Sequence, residues 1–161
     1  MFLTTILFLC LGNLFSQINT PVNPSNIVPN PSFEKFSGTP IGWFYKGAHF
    51  DKVIQYWNSP TSTSPDIFGK GVRIPNRWKQ KGFGDQNAYQ GERFIGLTMY
   101  GCSQGKPHCR EYAQIQLIEP LVIGQRYEVE FHVAHLPRSM YCNNLGIYFS
   151  EKQYELSLIH I

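Results

Sequence analysis

Three stretches of the chain alternate strictly between apolar and polar residues. Ala113, Ile115 and Leu117 are separated by Gln114 and Gln116. Tyr127, Val129, Phe131 and Val133 are separated by Glu128, Glu130 and His132. Leu145, Ile147 and Phe149 are separated by Gly146 and Tyr148, with Ser150 following. A period of two is the mark of a half-buried strand, and residues 127–133 carry it most clearly. Phe94 to Tyr100 forms a further candidate, with Ile95, Leu97 and Met99 on one face. Pro120, Gly124, Pro137 and the Asn143-Asn144 pair punctuate these runs as turns. Nowhere do apolar residues recur at helical spacing over three turns. The pattern therefore predicts an all-β, antiparallel, sandwich-like fold without internal repeats.

Upstream of residue 94 the pattern is weaker. Met1 to Ser16 carries no charged side chain, and Phe2 to Leu11 is apolar except for Thr4 and Thr5. Polar residues set in at Gln17. The stretch reads as a secretory signal peptide cleaved after Ser16, with a buried N-terminal strand as the alternative. It is too short to cross a bilayer, which takes about 20 apolar residues. Residues 17–31, rich in Pro and Asn, form an extended lead-in. Residues 69–91 hold five glycines and few aliphatics. Irregular spans longer than about 12–15 residues are uncommon in compact domains, so this one is expected to be functional or packed over a core edge.

Composition narrows the class. The 161 residues include 14 glycines and 11 prolines, 15% are aromatic and only 16% are charged. That mixture excludes a helical bundle or coiled coil and excludes a disordered tail. The net charge of +3 is too small and dispersed for a nucleic-acid binder, so no nucleic-acid partner is expected. An exported chain meets an oxidising compartment. Cys102 and Cys109 flank a polar loop that a disulfide could close, the alternative being buried free thiols; Cys142 is left without a partner in that pairing.

The order of several motifs carries a family resemblance. Asn26-Ile-Val-Pro-Asn-Pro-Ser-Phe-Glu34, followed by Thr39-Pro-Ile-Gly-Trp43, resembles the opening of galactose-binding-like jelly-roll domains, where many carbohydrate-binding modules begin this way. Arg110-Glu-Tyr-Ala-Gln-Ile-Gln-Leu117 and Pro120-Leu-Val-Ile-Gly-Gln-Arg-Tyr127 are similar to the middle section of those modules. Together with Ser-Pro-Thr-Ser-Thr-Ser-Pro-Asp66 and Asn143-Asn-Leu-Gly-Ile-Tyr-Phe-Ser150, they resemble the exported N-terminal domain of Bacteroidota surface proteins, some of which continue into a peptidoglycan-binding OmpA-type domain. The resemblance covers roughly residues 26–152. It implies a jelly roll of about eight strands, of which five or six candidates are visible. The tail at residues 156–161 is unlike the family and reads as non-native. The expected organisation is therefore a signal peptide at 1–16, a lead-in at 17–31, an incomplete β-sandwich at 32–155 and the foreign tail, with a further C-terminal domain in the parent protein.

The candidate chemistry is that of binding. The resemblance implies a structural calcium at Glu34, although calcium takes six to eight oxygens and one carboxylate does not make a site. The alternative for Glu34 is a solvated or Arg-paired acid. The stretch from Lys70 to Lys81 also holds Arg73, Arg77 and Lys79 around Trp78, with no acid. Cations beside an exposed aromatic can hold an acidic glycan, lipopolysaccharide or nucleic acid; the alternative is a solvated loop that Trp78 anchors to the core. Sugars stack on aromatic faces beside a few polar groups in a cleft. Trp57, Trp78, Arg77 and Tyr89 are the expected ligand contacts, and Trp43 is expected in the core. No nucleotide-binding, metalloprotease or hydrolase motif occurs, and nothing among the scattered acids selects a catalytic pair. The expected function is non-catalytic binding of a glycan or cell-envelope component at the cell surface, in the periplasm or outside the cell. The other readings are a structural domain with a protein partner and an accessory module of a secreted hydrolase.

Overall fold

A computed structural model describes residues 2–6, 26–38, 42, 48–99, 110–142 and 145–155; for residues 2–6 it describes the backbone alone. Trp43, Tyr100, Cys102, Cys109 and residues 156–161 lie outside the described residues.

The elements run β1 (Phe2–Ile6), α1 (Ala48–Val53), β2 (Trp57–Asn58), β3 (Asp66–Gly69), α2 (Asn76–Lys79), β4 (Arg93–Gly96), β5 (Gln114–Gln116) and β6 (Gly146–Ser150). Four strands form an antiparallel sheet in the order β2-β5-β1-β6, and β3 and β4 form a separate antiparallel pair. The fold is β-rich, as the alternation predicts.

The core follows from the local sequence. Phe50 and Ile54 lie four residues apart, one above the other on a helical face, and both are fully buried with Ile67 of β3. Phe33, Phe36, Val53, Trp57, Val72 and Ile95 pack around them. Each large apolar side chain so buried contributes about 1.5–3 kcal/mol. In β5 the alternation has a second meaning. Ile115 is fully buried and Ala113 and Leu117 nearly so, yet Gln114 between them is also fully buried. Its amide nitrogen donates to Asn58 Oδ1 at 2.6 Å and to the Tyr154 carbonyl at 2.8 Å, while its oxygen accepts from Tyr154 N–H at 3.1 Å. A buried amide with both ends bonded avoids the cost of an orphaned polar group.

Two expectations are corrected. Residues 127–133 are not a strand: they run extended between turns at Val122–Gln125 and Leu136–Ser139, outside both sheets. Alternation specifies a two-faced extended chain, but a strand also needs a neighbour. β6 pairs with β1, over five positions from Phe2↔Ser150 to Ile6↔Gly146. Residues 2–6 lie in this sheet as a strand, and their hydrophobicity fits either a strand or a cleaved leader. The second correction is helical. Phe50 in α1 and Ile54 just past its end, whose N–H donates to the Phe50 carbonyl at 3.1 Å, form a single i, i+4 pair, too short to show as a three-turn pattern. The four-residue α2 follows Pro75, whose carbonyl accepts from Trp78 and Lys79.

Candidate functional site

The chain from Gly69 to Glu92 folds back on itself and borders an open cleft of about 500 Å³. β3 and β4 fix its base. Their register sets Gly69 opposite Arg93, and Lys70 N–H then donates to the Glu92 carbonyl at 3.2 Å. Gly69 takes φ 120°, and a Cβ there would run into Glu92 and Arg93, so only glycine lets the two strands close at this end. The cleft is lined by Val72, Ile74 and Phe94 as apolar surface and by Lys70, Lys79, Gln86, Asn87 and Glu92 as polar surface. Gln86 is braced by its amide donating to the His135 carbonyl at 3.2 Å. Lys70 and Glu92 form an exposed ion pair at 2.7 Å. Such pairs contribute little to stability, so both groups are cheap to redirect toward a ligand.

Glu34 ties this loop to the rest of the domain. Its Oε1 accepts from the backbone N–H of Glu92 at 2.7 Å and of Arg93 at 2.8 Å. Gly91 has φ 76°, and a Cβ there would strike the Glu34 carboxylate. The residue for which a calcium was expected therefore serves as a clasp on backbone amides. Among the described residues no three His, Cys, Asp or Glu side chains gather into a metal-holding group.

The expected ligand contacts separate. Trp78 stands next to the cleft-lining Lys79 on α2. Its ring lies edge-on to Phe83 at 5.1 Å, with Lys81 at 4.7 Å and Arg77 at 5.5 Å from ring centroids. It is both an anchor for the loop and a surface for cations, which joins the two readings of the basic stretch. Tyr89 follows the cleft-lining Ala88, is 75% exposed, and stacks on His132 with centroids 3.3 Å apart. Trp57 belongs elsewhere. It packs on Phe33 at 4.9 Å against the core, and its indole N–H donates to the Asn30 carbonyl at 3.0 Å. Its position in a Ser- and Pro-rich stretch suggested a loop aromatic, but its neighbour Ile115 across the β2-β5 ladder draws it inward.

Asn30 explains why Trp57 is held there. It is buried at φ 50°, a left-handed conformation that Asn tolerates. Its amide donates to the Lys35 and Gln55 carbonyls at 3.1 and 3.0 Å, and its oxygen accepts from Lys35 N–H at 2.9 Å.

A pair of buried acids had no sequence signal. Asp66 opens β3, and Glu111 precedes β5; their relative exposures are 8% and 6%. Glu111 accepts from Thr98 N–H at 2.6 Å and from the Ser64 hydroxyl at 3.4 Å. Burial, and then the charge of Glu111, push Asp66 up to about 9. Burial also raises Glu111, against the lowering effect of its bonds to Thr98 and Ser64. Asp66 is thus a neutral acid at pH 7, held beside a second carboxyl.

Comparison with family models, with curated proteins and with solved structures returned no match.

Proposed function

We propose that this chain is a non-catalytic, exported binding domain of the β-sandwich, jelly-roll kind, and that it holds a glycan or cell-envelope component in the cleft between β3, α2 and β4. The observation that carries this reading is the lining of the cleft. Amides from Gln86 and Asn87, the Glu92 carboxylate and the Lys79 ammonium border the apolar side chains of Val72, Ile74 and Phe94. Sugars present both hydroxyl edges and C–H faces, and this mixture meets both. Tyr89 adds an exposed ring beside the cleft. Trp78 contributes through the loop it anchors, with Arg77 as a cation beside it. Trp57 is left out of the contact set because its indole N–H is engaged by Asn30.

The resemblance of the sequence to exported surface domains supports the same reading. A second reading, a structural domain with a protein partner, is favoured by the exposed Val122, Ile123, Val129 and Val133.

The test is a glycan array probed with the full chain, followed by calorimetry on the best ligand with Lys79→Glu and Tyr89→Ala. Each variant should weaken binding about tenfold, the loss of roughly 1.4 kcal/mol. A chain that binds no glycan, or variants that bind as tightly as the parent, would overturn the proposal.

A further inference from the structure

Residues 126–134 form an extended run whose backbone is unbonded among the described residues. The nearest main-chain bonds lie outside it, from Gln125 N–H to the Val122 carbonyl at 3.2 Å and from Ser139 N–H to the Leu136 carbonyl at 3.0 Å. Alternation puts Tyr127, Val129, Phe131 and Val133 on one side of the run and Glu128, Glu130 and His132 on the other. The apolar side is open: Val129 is 45% and Val133 60% exposed. Next to it, Val122 N–H donates to the Tyr127 hydroxyl at 2.9 Å, and Val122 and Ile123 border a shallow depression that Phe149 also lines. The run is nonetheless held in place. His132 is stacked on Tyr89, and the His135 carbonyl is bonded to Gln86. A positioned, extended backbone with free donors, free acceptors and an apolar face is a template for another strand.

We infer that residues 129–133 pair with the same residues of a second copy of this chain, antiparallel, about a two-fold axis through Phe131. The sequence is complementary to itself in that register. Phe131 meets Phe131, and Val129 meets Val133 twice, so the apolar side chains of the two copies flank one another on one face. On the polar side Glu130 meets His132 twice, an acid opposite a base. Within one chain these two side chains already approach to 3.1 Å, so the pairing builds a four-membered cluster of alternating type. The neighbouring registers are worse. An axis through Glu130 sets that carboxylate against itself, and an axis through Val129 sets Glu128 against Glu130. Like charges directly opposite destabilise a strand pair, whereas opposite charges and aromatic or β-branched pairs stabilise it. A shared two-fold axis also makes the contact closed, so it ends at two copies.

The experiment is sedimentation of the full chain over a range of concentrations up to about 100 μM, where weak strand-mediated dimers populate. A monomer–dimer equilibrium is expected. Phe131→Asp, which brings two carboxylates together on the axis, should weaken it at least about tenfold. Ile118→Asp, at an exposed position outside the run, should leave it unchanged. Phe131→Cys keeps the test sound if the aspartate variant misfolds. A thiol on the axis faces its own copy and should form a disulfide-linked dimer faster than Val129→Cys or the parent chain. A parent chain that stays monomeric, or equal cross-linking of Phe131→Cys and Val129→Cys, would overturn the inference.

Discussion

At the scale of single residues, polar groups without a strong sequence signal do much of the organising. Asn30 closes one turn with three side-chain bonds and holds Trp57 through its carbonyl. A net hydrogen bond is worth about 0.5–1.5 kcal/mol, so Asn30→Ala is expected to cost about 3 kcal/mol in urea denaturation. The Pro-Asn-Pro context marks a turn but does not say that the asparagine is buried. The Asp66–Glu111 pair makes a prediction of a different kind. Asp66 holds its proton to about pH 9 when folded, against an ordinary value of 3.8. Between those values the folded chain binds more protons than the unfolded one. Stability is therefore full below the lower value and falls as pH rises through the window, by at most about 1.4 kcal/mol per unit. Asp66→Asn should be more stable than the parent at pH 8 and show a flatter dependence between about pH 5 and 9. Glu111, raised in the same direction, leaves a residual slope of the same sign. Urea midpoints measured across that range check it.

At the scale of elements, legibility in the sequence depended on whether a partner was needed. β5 and β6 were readable because alternation reports a face, and both strands found neighbours. Residues 127–133 have a sharper alternation and yet form no ladder among the described residues, because hydrophobic period does not specify what pairs with what. The cleft was legible only as a glycine-rich span expected to be functional. Its lining residues Lys79, Gln86, Asn87 and Glu92 meet through a β3–β4 register that local sequence does not state. The central place of β1 is equally consequential. Residue 4 pairs with Gln114 on one side and Tyr148 on the other. Thr4→Pro removes the amide of an inner strand, where proline is not tolerated. Hydrogen exchange should then accelerate across Gly146–Ser150, while Asp66–Gly69 and Arg93–Gly96 keep their protection. Retained protection in β6 would show that β1 does not hold it.

At the scale of the whole molecule, the apolar cluster that Ile67 of β3 and Ile95 of β4 share with Trp57 of β2 joins the two small sheets, and polar ties fasten the segments around it. Glu34 fastens the N-terminal segment to the 92–93 backbone, Gln114 fastens residue 154 to β5, and Arg138 fastens the 137–139 turn to the Gln80 carbonyl at 2.6 Å. Glu34→Gln keeps one acceptor but loses its charge, and charged acceptors make bonds worth about 1.5–3 kcal/mol. It should lower stability by about 1 kcal/mol and loosen the cleft wall, seen as faster exchange at Glu92 and Arg93. Added calcium should leave the melting temperature of the parent unchanged if the clasp is the whole role of Glu34.

The separate fates of Trp57 and Trp78 have an optical consequence. An indole packed on Phe33 and bonded to Asn30 emits from a rigid, apolar setting, and its emission moves to the red when that setting opens. Trp78 instead emits beside two cations at the margin of the cleft, where an arriving molecule changes its surroundings. With Trp43→Phe as the background, Trp57→Phe should leave a ligand-sensitive signal, and Trp78→Phe a denaturant-sensitive one. Once Trp43 is removed, the chain thus carries one natural fluorophore for folding and another for occupancy, readable in a single titration.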